Sequence, residues 1–152
     1  MQENKLIKKL FEDLFEGNPW LDVTILGTLK NVTAEKASGK FPPISNSIWE
    51  IVNHLIDWRL NVLQRVQGKV LITPNDNYFK PVKDTSQAAW EKTIERLQES
   101  QEKWLTFLEE MNTNTFSDIY PTNTMTYYEH IHGIIQHDAY HLGQISLLVK
   151  CV

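Results

Sequence analysis

The chain of 152 residues contains a single cysteine, Cys151, close to its C-terminal end. One cysteine excludes an intramolecular disulfide framework and is typical of proteins in a reducing compartment, so we expect a cytoplasmic location. No base lies near Cys151 in the sequence, and a catalytic thiol at this position is therefore not expected.

Long apolar runs and a strong charge of one sign are also missing. No apolar stretch approaches the roughly 18 residues that a membrane-spanning helix needs. The N-terminal segment carries acidic residues among its apolar positions, unlike the apolar region of a secretion signal. The formal net charge of -4 lacks the basic excess that is typical of nucleic-acid-binding proteins. We therefore expect neither a membrane nor a nucleic acid among the partners.

Apolar residues recur with helical spacing in four long segments, which we predict to be helices. They cover residues 4–16, 47–68, 86–111 and 124–149, with short helical turns at 21–29 and 34–37. The second and fourth segments each begin with a capping box, formed by Ser47 and Glu50 and by Thr126 and Glu129. No segment alternates as a strand does. The pattern predicts one all-α domain over residues 1–152, an up-down-type four-helix bundle with short accessory helical turns.

Two histidines, His137 and His141, lie four residues apart in the fourth predicted helix. On a helix such residues are offset by roughly 40° and about 6 Å along the axis, so both imidazoles can close on one small object. Neutral imidazole is the commonest protein ligand of metal ions. His54 lies on the inward face of another predicted helix, and three imidazoles would leave a coordination position open for chemistry.

Further candidates surround these three histidines. Asp57, one turn after His54, is placed to orient a ligand or a metal-bound water, although a solvated helix charge is an equal interpretation. Asp138 is about 100° around the helix from His137 and suits a supporting or surface role. Trp58, His130 and Tyr140 are candidates for lining a pocket, while ordinary core packing is the alternative.

Three stretches of the chain resemble the DinB/YfiT-like superfamily of bacterial four-helix bundle proteins. They are Gly17-Asn18-Pro19-Trp20, then Ser47-Ile48-Trp49-Glu50 leading to His54 and Trp58, and the run from Gly133 to Ile145 that contains His137-Asp138-Ala139-Tyr140-His141. The resemblance covers nearly the whole chain. It implies a homodimer and one divalent metal ion, often nickel or zinc. Carried over residue by residue, the ligands are His54, His137 and His141.

The resemblance also implies a choice of activities. Some relatives are thiol-dependent S-transferases or isomerases that use a low-molecular-weight thiol such as bacillithiol or mycothiol. Others are assigned as metal-dependent hydrolases. For this chain we expect a metal-dependent enzyme acting on a small molecule, as a thiol-dependent S-transferase or a hydrolase.

Two alternatives to an enzyme remain open at the level of sequence. One is a non-catalytic metal-binding stress or interaction protein. A closed structural zinc site, however, normally has four protein ligands, and no fourth is evident. The other is a helical dimer scaffold without chemistry, which predicts that His54 lies far from His137 and His141.

Overall fold

The structure is a computed structural model that describes residues 2–152, and it is built from helices. The four long helices are α1 (Glu3–Phe15), α4 (Ile48–Val66), α5 (Gln87–Glu110) and α6 (Tyr127–Val149). The short elements are α2 (Ile25–Leu29), α3 (Ala34–Ser38) and a 3-10 helix at Thr113–Ser117. The predicted all-α bundle with accessory helical turns is confirmed.

The short elements are the least well predicted. The predicted helical turn at residues 21–29 begins only at Ile25, because the hydroxyl of Thr24 caps the helix by accepting from the N–H of Gly27. The 3-10 helix at Thr113–Ser117 lies between the third and fourth predicted helices, where the sequence pattern predicts no helix. No strand occurs in residues 2–152, and Ile119 and Thr126 form an isolated bridge. Among these residues no helix has the length and apolar character needed to cross a membrane.

Both predicted capping boxes are present, and they fix where the helices that carry the histidines begin. The Ser47 hydroxyl accepts a hydrogen bond from the Glu50 N–H, and the Glu50 carboxylate accepts one from the Ser47 N–H at 2.7 Å. Thr126 and Glu129 form the same pair of bonds at the start of α6. Because a helix turns by a fixed angle per residue, its starting point helps to set the direction of every later side chain.

The long helices form a ring in which α4 packs against α5 and α6, and α1 packs against the same two helices from the opposite side. The long helices α1 and α4 follow each other along the chain but lie diagonally opposite in the ring. The short helices α2 and α3 are in the connection between them. In α1, Ile7 and Phe11 face the core, whereas Leu6 and Leu10, which share its helical spacing, are half exposed.

A buried polar layer crosses the bundle core. It consists of Arg59 on α4, Ser100 and Gln101 on α5, and Asp138 on α6. The apolar core consists of two clusters. Along α4, α5 and α6, the polar layer lies between the residues of one cluster and those of the other. Arg59 forms an ion pair with Asp138, and it donates hydrogen bonds to Ser100 and Gln101. Hydrogen bonds within the layer satisfy most of its polar groups, which is the condition for burying them at low cost.

Candidate metal centre

Three histidines meet where α4 packs against α6. His54 extends from α4, and His137 and His141 extend from successive turns of α6. The Nε2 atoms of His54 and His137 lie 3.0 Å apart. One ring nitrogen from each of the three residues lies within 4.8 Å of the others, close enough for all three to hold a metal ion. His54 and His141 are buried, and His137 is partly exposed.

The loop between α4 and α5 holds His54 in place. The Nδ1–H of His54 donates to the main-chain carbonyl of Asn77 at 2.7 Å, and the Phe79 ring stacks on the imidazole at a centroid distance of 3.9 Å. The Asn77 side chain also accepts a hydrogen bond from the indole of Trp58. Asn77 and Tyr78 both adopt positive φ, 50° and 61°, so the loop turns sharply at this contact.

Burial and hydrogen bonding set the protonation of two of the histidines. Burial lowers the pKa of His54 to about 4, although the Asn77 carbonyl favours the protonated form. Burial also lowers the pKa of His141, whose Nδ1–H donates to Oε1 of Gln144 at 2.7 Å. Both imidazoles are therefore neutral at pH 7. Because their protons are on Nδ1, each Nε2 carries a lone pair that can bind a cation.

His137 and Asp138 contain two buried polar atoms without a partner. Nδ1 of His137 and Oδ1 of Asp138 make no hydrogen bond within residues 2–152, and they lie 3.9 Å apart. The other carboxylate oxygen of Asp138 accepts from Arg59. Of the two roles expected for Asp138, the surface role is excluded, because its side chain lies in the core.

A cavity of about 640 Å³ opens beside the three histidines. This volume lies within the range of small-molecule sites. All three predicted pocket residues line it: Trp58 and His130 from the inner wall, and Tyr140 from the rim, where its side chain is 64% exposed. A larger cleft of about 810 Å³ between α4 and α5 is lined by no histidine, and its charged residues face solvent.

Asp57 lies beside an arginine of another helix, and its expected part in orienting a metal-bound water stays a prediction. Its carboxylate lies 3.7 Å from the guanidinium of Arg96 on α5, and it makes no hydrogen bond with any of the three histidines in the described part of the chain. Burial raises the pKa of Asp57, while Arg96 opposes this shift. The groups that orient His54 and His141 are the Asn77 carbonyl and the Gln144 amide.

Sequence reasoning missed Asn77, Phe79 and Gln144 as parts of the site. Gln144 had a signal, since it lies one turn after His141 on the same helical face. Asn77 and Phe79 had none beyond the turn-forming residues around them, because the contact of this loop with His54 depends on the tertiary fold.

A sequence model of the DinB superfamily matches residues 23–145 of the chain. The match covers most of the chain and includes all three histidines of the centre. No curated protein and no solved structure matches the chain.

Proposed function

The chain belongs to the DinB superfamily, and from this we propose that His54, His137 and His141 bind one divalent metal ion in a single-domain enzyme. The proposed activity is a metal-dependent reaction of a small molecule, either thiol-dependent S-transfer or hydrolysis. Zinc and nickel are the proposed metals, because the family resemblance implies one of them and imidazole nitrogen suits both.

The two unpartnered atoms of His137 and Asp138 are the observation that supports the metal site most directly. Nε2 of His54 carries no proton, so a neutral His137 has to donate its own Nε2–H across the 3.0 Å contact. Its Nδ1 then holds a bare lone pair that faces the bare Oδ1 of Asp138. A cation bound by both Nε2 atoms would place the His137 proton on Nδ1, which lies 3.9 Å from Oδ1 of Asp138. A small rotation of the imidazole would then let the Nδ1–H donate to this oxygen.

The three donors suit a reactive metal site with an open coordination position rather than a structural site with four protein ligands. Three neutral imidazoles leave the ion's charge uncompensated and a coordination position free on the side of the cavity. A bound ion would act as a Lewis acid and lower the pKa of a water or a thiol in that position. Phe79 and Trp58 shield the histidines from bulk solvent and so strengthen such electrostatic effects.

A thiol for S-transfer would have to come from a separate molecule. The chain's single cysteine, Cys151, is exposed and is not among the residues that line the cavity. A low-molecular-weight thiol such as bacillithiol is the proposed cosubstrate in this variant of the function. Water takes that place in the hydrolase variant.

The two non-enzymatic alternatives differ in how they agree with the structure. A helical scaffold without chemistry requires His54 to lie far from His137, and the 3.0 Å contact between their Nε2 atoms contradicts it. A non-catalytic metal-binding protein agrees with the three histidines, but it gives no role to the cavity beside them. Turnover of an electrophile distinguishes this second alternative from an enzyme.

Metal content of tag-free protein tests the site. After incubation with zinc or nickel and removal of free ions, elemental analysis is expected to find about one ion per chain in wild type. His137→Ala is expected to lose the ion, whereas the matched control His130→Gln, on the same helix outside the trio, keeps it. Wild-type protein without metal would overturn the proposal.

Cobalt-substituted protein then separates the reactions. A thiol that enters the open position is expected to change the visible absorption of cobalt, and a suitable electrophile should then be consumed together with the thiol. Ester or amide cleavage without a thiol identifies the hydrolase variant. Binding of metal with neither reaction across such a screen would support the non-catalytic alternative.

A homodimer is also part of the proposal. Leu6 and Leu10 on α1 and Leu147 on α6 are exposed apolar side chains on two neighbouring helices. They offer apolar area of the kind that an association of two copies would bury. Light scattering is expected to give twice the chain mass of 17.7 kDa, and a value equal to that mass would refute the dimer.

A further inference from the structure

One arginine of the cavity has no acidic partner. Arg65, near the C-terminal end of α4, is only 8% exposed and lines the same cavity as the three histidines. Its guanidinium lies between two aromatic rings, 5.6 Å from the centroid of Trp58 and 5.2 Å from that of Tyr120. Its Nη2 donates to Thr73, while its Nε is buried without a hydrogen bond within residues 2–152.

The other arginines of the chain are paired. Arg59 pairs with Asp138, and Arg96 lies 3.7 Å from Asp57. No carboxylate among the described residues comes within 4.0 Å of Arg65 in this way. Glu129 is the one acidic residue that lines the cavity, and its Oε2 already accepts hydrogen bonds from the N–H and hydroxyl of Thr126. A buried cation without a counter-charge is costly, and a bound anion would remove that cost.

Arg65 lies 11 residues after His54 on α4, which is about 16 Å along the helix axis, and both residues line the cavity. The Trp58 ring is 5.6 Å from Arg65 and 6.1 Å from the centroid of His137, so the guanidinium and that imidazole are at most about 12 Å apart. Val62, one turn after Trp58 on α4, and Ile134 also line the cavity. A ligand that reaches from Arg65 to the histidines passes these apolar side chains, so we expect it to carry an apolar middle part.

We infer that this cavity binds a small carboxylic acid with an apolar body, with its carboxylate on Arg65 and its other end at the three histidines. The inference rests on the proposed function in taking the histidine end as the reactive end. A carboxylate matches the planar guanidinium fork and needs only the single positive charge that Arg65 provides. A phosphate dianion would leave charge unmatched at this position.

Nuclear magnetic resonance of the arginine side chains tests the inference directly. The chain has three arginines, so its Nε–H spectrum contains three signals at most, and Arg65→Lys assigns the relevant one by its loss. Octanoate and octan-1-ol, which share an apolar chain and differ in charge, are titrated into the full chain with and without zinc. We expect octanoate to shift the Arg65 signal with saturation, and octan-1-ol to leave it in place.

Two arginine variants test the inference through their affinity for octanoate. Arg65→Met keeps the aliphatic stem but removes the charge, and we expect it to weaken octanoate binding at least tenfold, as measured by calorimetry. Arg96→Met removes an arginine outside the cavity and should bind octanoate as wild type does. Equal binding of octanoate and octan-1-ol by wild type, unchanged octanoate affinity in Arg65→Met, or no octanoate binding at millimolar concentration would each overturn the inference. The comparison of the two ligands on wild type holds even if Arg65→Met fails to fold.

The same samples separate this inference from the proposed function. Octanoate binding to metal-free protein does not require an ion at the histidines, so it survives if the metal proposal fails. Conversely, Arg65→Met is expected to keep its metal content, because Arg65 touches none of the three histidines. If octyl phosphate binds more tightly than octanoate, the ligand class is a phosphate and the inferred carboxylic acid is wrong.

Discussion

Arg59 and Asp138 form an ion pair between α4 and α6 in which each side chain is only 2% exposed. The guanidinium also bonds to Ser100 and Gln101, and the second oxygen of Asp138 faces Nδ1 of His137. The polar layer of the core is therefore continuous with the candidate metal centre. A change in the layer is expected to affect both the stability of the bundle and the orientation of a proposed ligand.

Asp138→Asn tests the contribution of this ion pair to stability. The substitution leaves a buried guanidinium without its counter-charge, so the free energy of unfolding of metal-free protein should fall by about 3–5 kcal/mol. Urea denaturation at pH 7 measures the change. Glu109→Gln removes the acid of the surface pair with Lys8 and should leave the unfolding midpoint close to wild type. A similar unfolding midpoint for both variants would mean that the buried ion pair contributes no more to stability than the surface pair does.

Gln144→Ala removes the group that accepts the Nδ1–H of His141. Without it the imidazole loses its preferred tautomer and orientation, so we expect the dissociation constant for zinc to rise about 10- to 100-fold. Competition with a chromophoric chelator measures this constant. Gln136→Ala, on an exposed position of the same helix, serves as the control. Identical constants for the two variants would remove Gln144 from the site.

The low pKa of His54 predicts how the stability of metal-free protein depends on pH. In the unfolded chain His54 has its ordinary pKa of 6.5, and in the folded chain burial lowers this pKa to about 4. As the pH falls from 6.5 to 4, the unfolded state gains a proton that folded His54 does not accept, so the free energy of unfolding decreases. The loss is complete below pH 4 and amounts to at most about 3 kcal/mol.

His54→Asn isolates this contribution from the titration of carboxylates in the same pH range. The variant keeps an N–H donor near the Asn77 carbonyl but has no group that titrates. Its stability should fall less than that of wild type between pH 6.5 and 4, as measured by denaturation at each pH. Parallel curves for the two proteins would contradict the lowered pKa.

Asn77 supplies a main-chain acceptor to His54 from a left-handed conformation, φ 50°. Asn77→Val places a β-branched residue in that conformation, and we expect it to cost about 1–2 kcal/mol of stability and to weaken zinc binding. Asn77→Gly tolerates the same φ and keeps the carbonyl, so its zinc affinity should stay near wild type. Denaturation and zinc competition on both variants check this, and equal zinc affinities would show that the loop does not position His54.

The sequence predicts the helices and the shared face of His137 and His141, because both depend on local patterns, whereas the place of His54 beside them was implied by the family resemblance. Capping boxes at Ser47 and Thr126 set the starts of α4 and α6. The spacing of His137 and His141 then follows from helical geometry. Helical spacing alone did not separate buried Phe11 from half-exposed Leu10, since neighbouring helices decide which part of an apolar stripe they cover.

The rest of the site depends on contacts between residues that are far apart in the chain. Asn77 and Phe79 reach His54 from a loop whose path is set by tertiary packing. The spacing that places Asp57 one turn after His54 does not reveal that its carboxylate lies 3.7 Å from Arg96 of α5. Arg65 is one of four charged residues on α4, and its lack of an acidic partner among the described residues is visible only in three dimensions.

The position of the centre between α4 and α6 has a consequence for the order of events during synthesis. His54 leaves the ribosome long before His137 and His141, which are 83 and 87 residues later in the chain. The three nitrogens come together only once α6 has docked, and contacts between residues this distant in sequence are slow to form. The proposed ion would thus be bound by a nearly finished bundle. Bound there, it would join α4 to α6 across 83 and 87 residues of chain and slow the separation of the two helices.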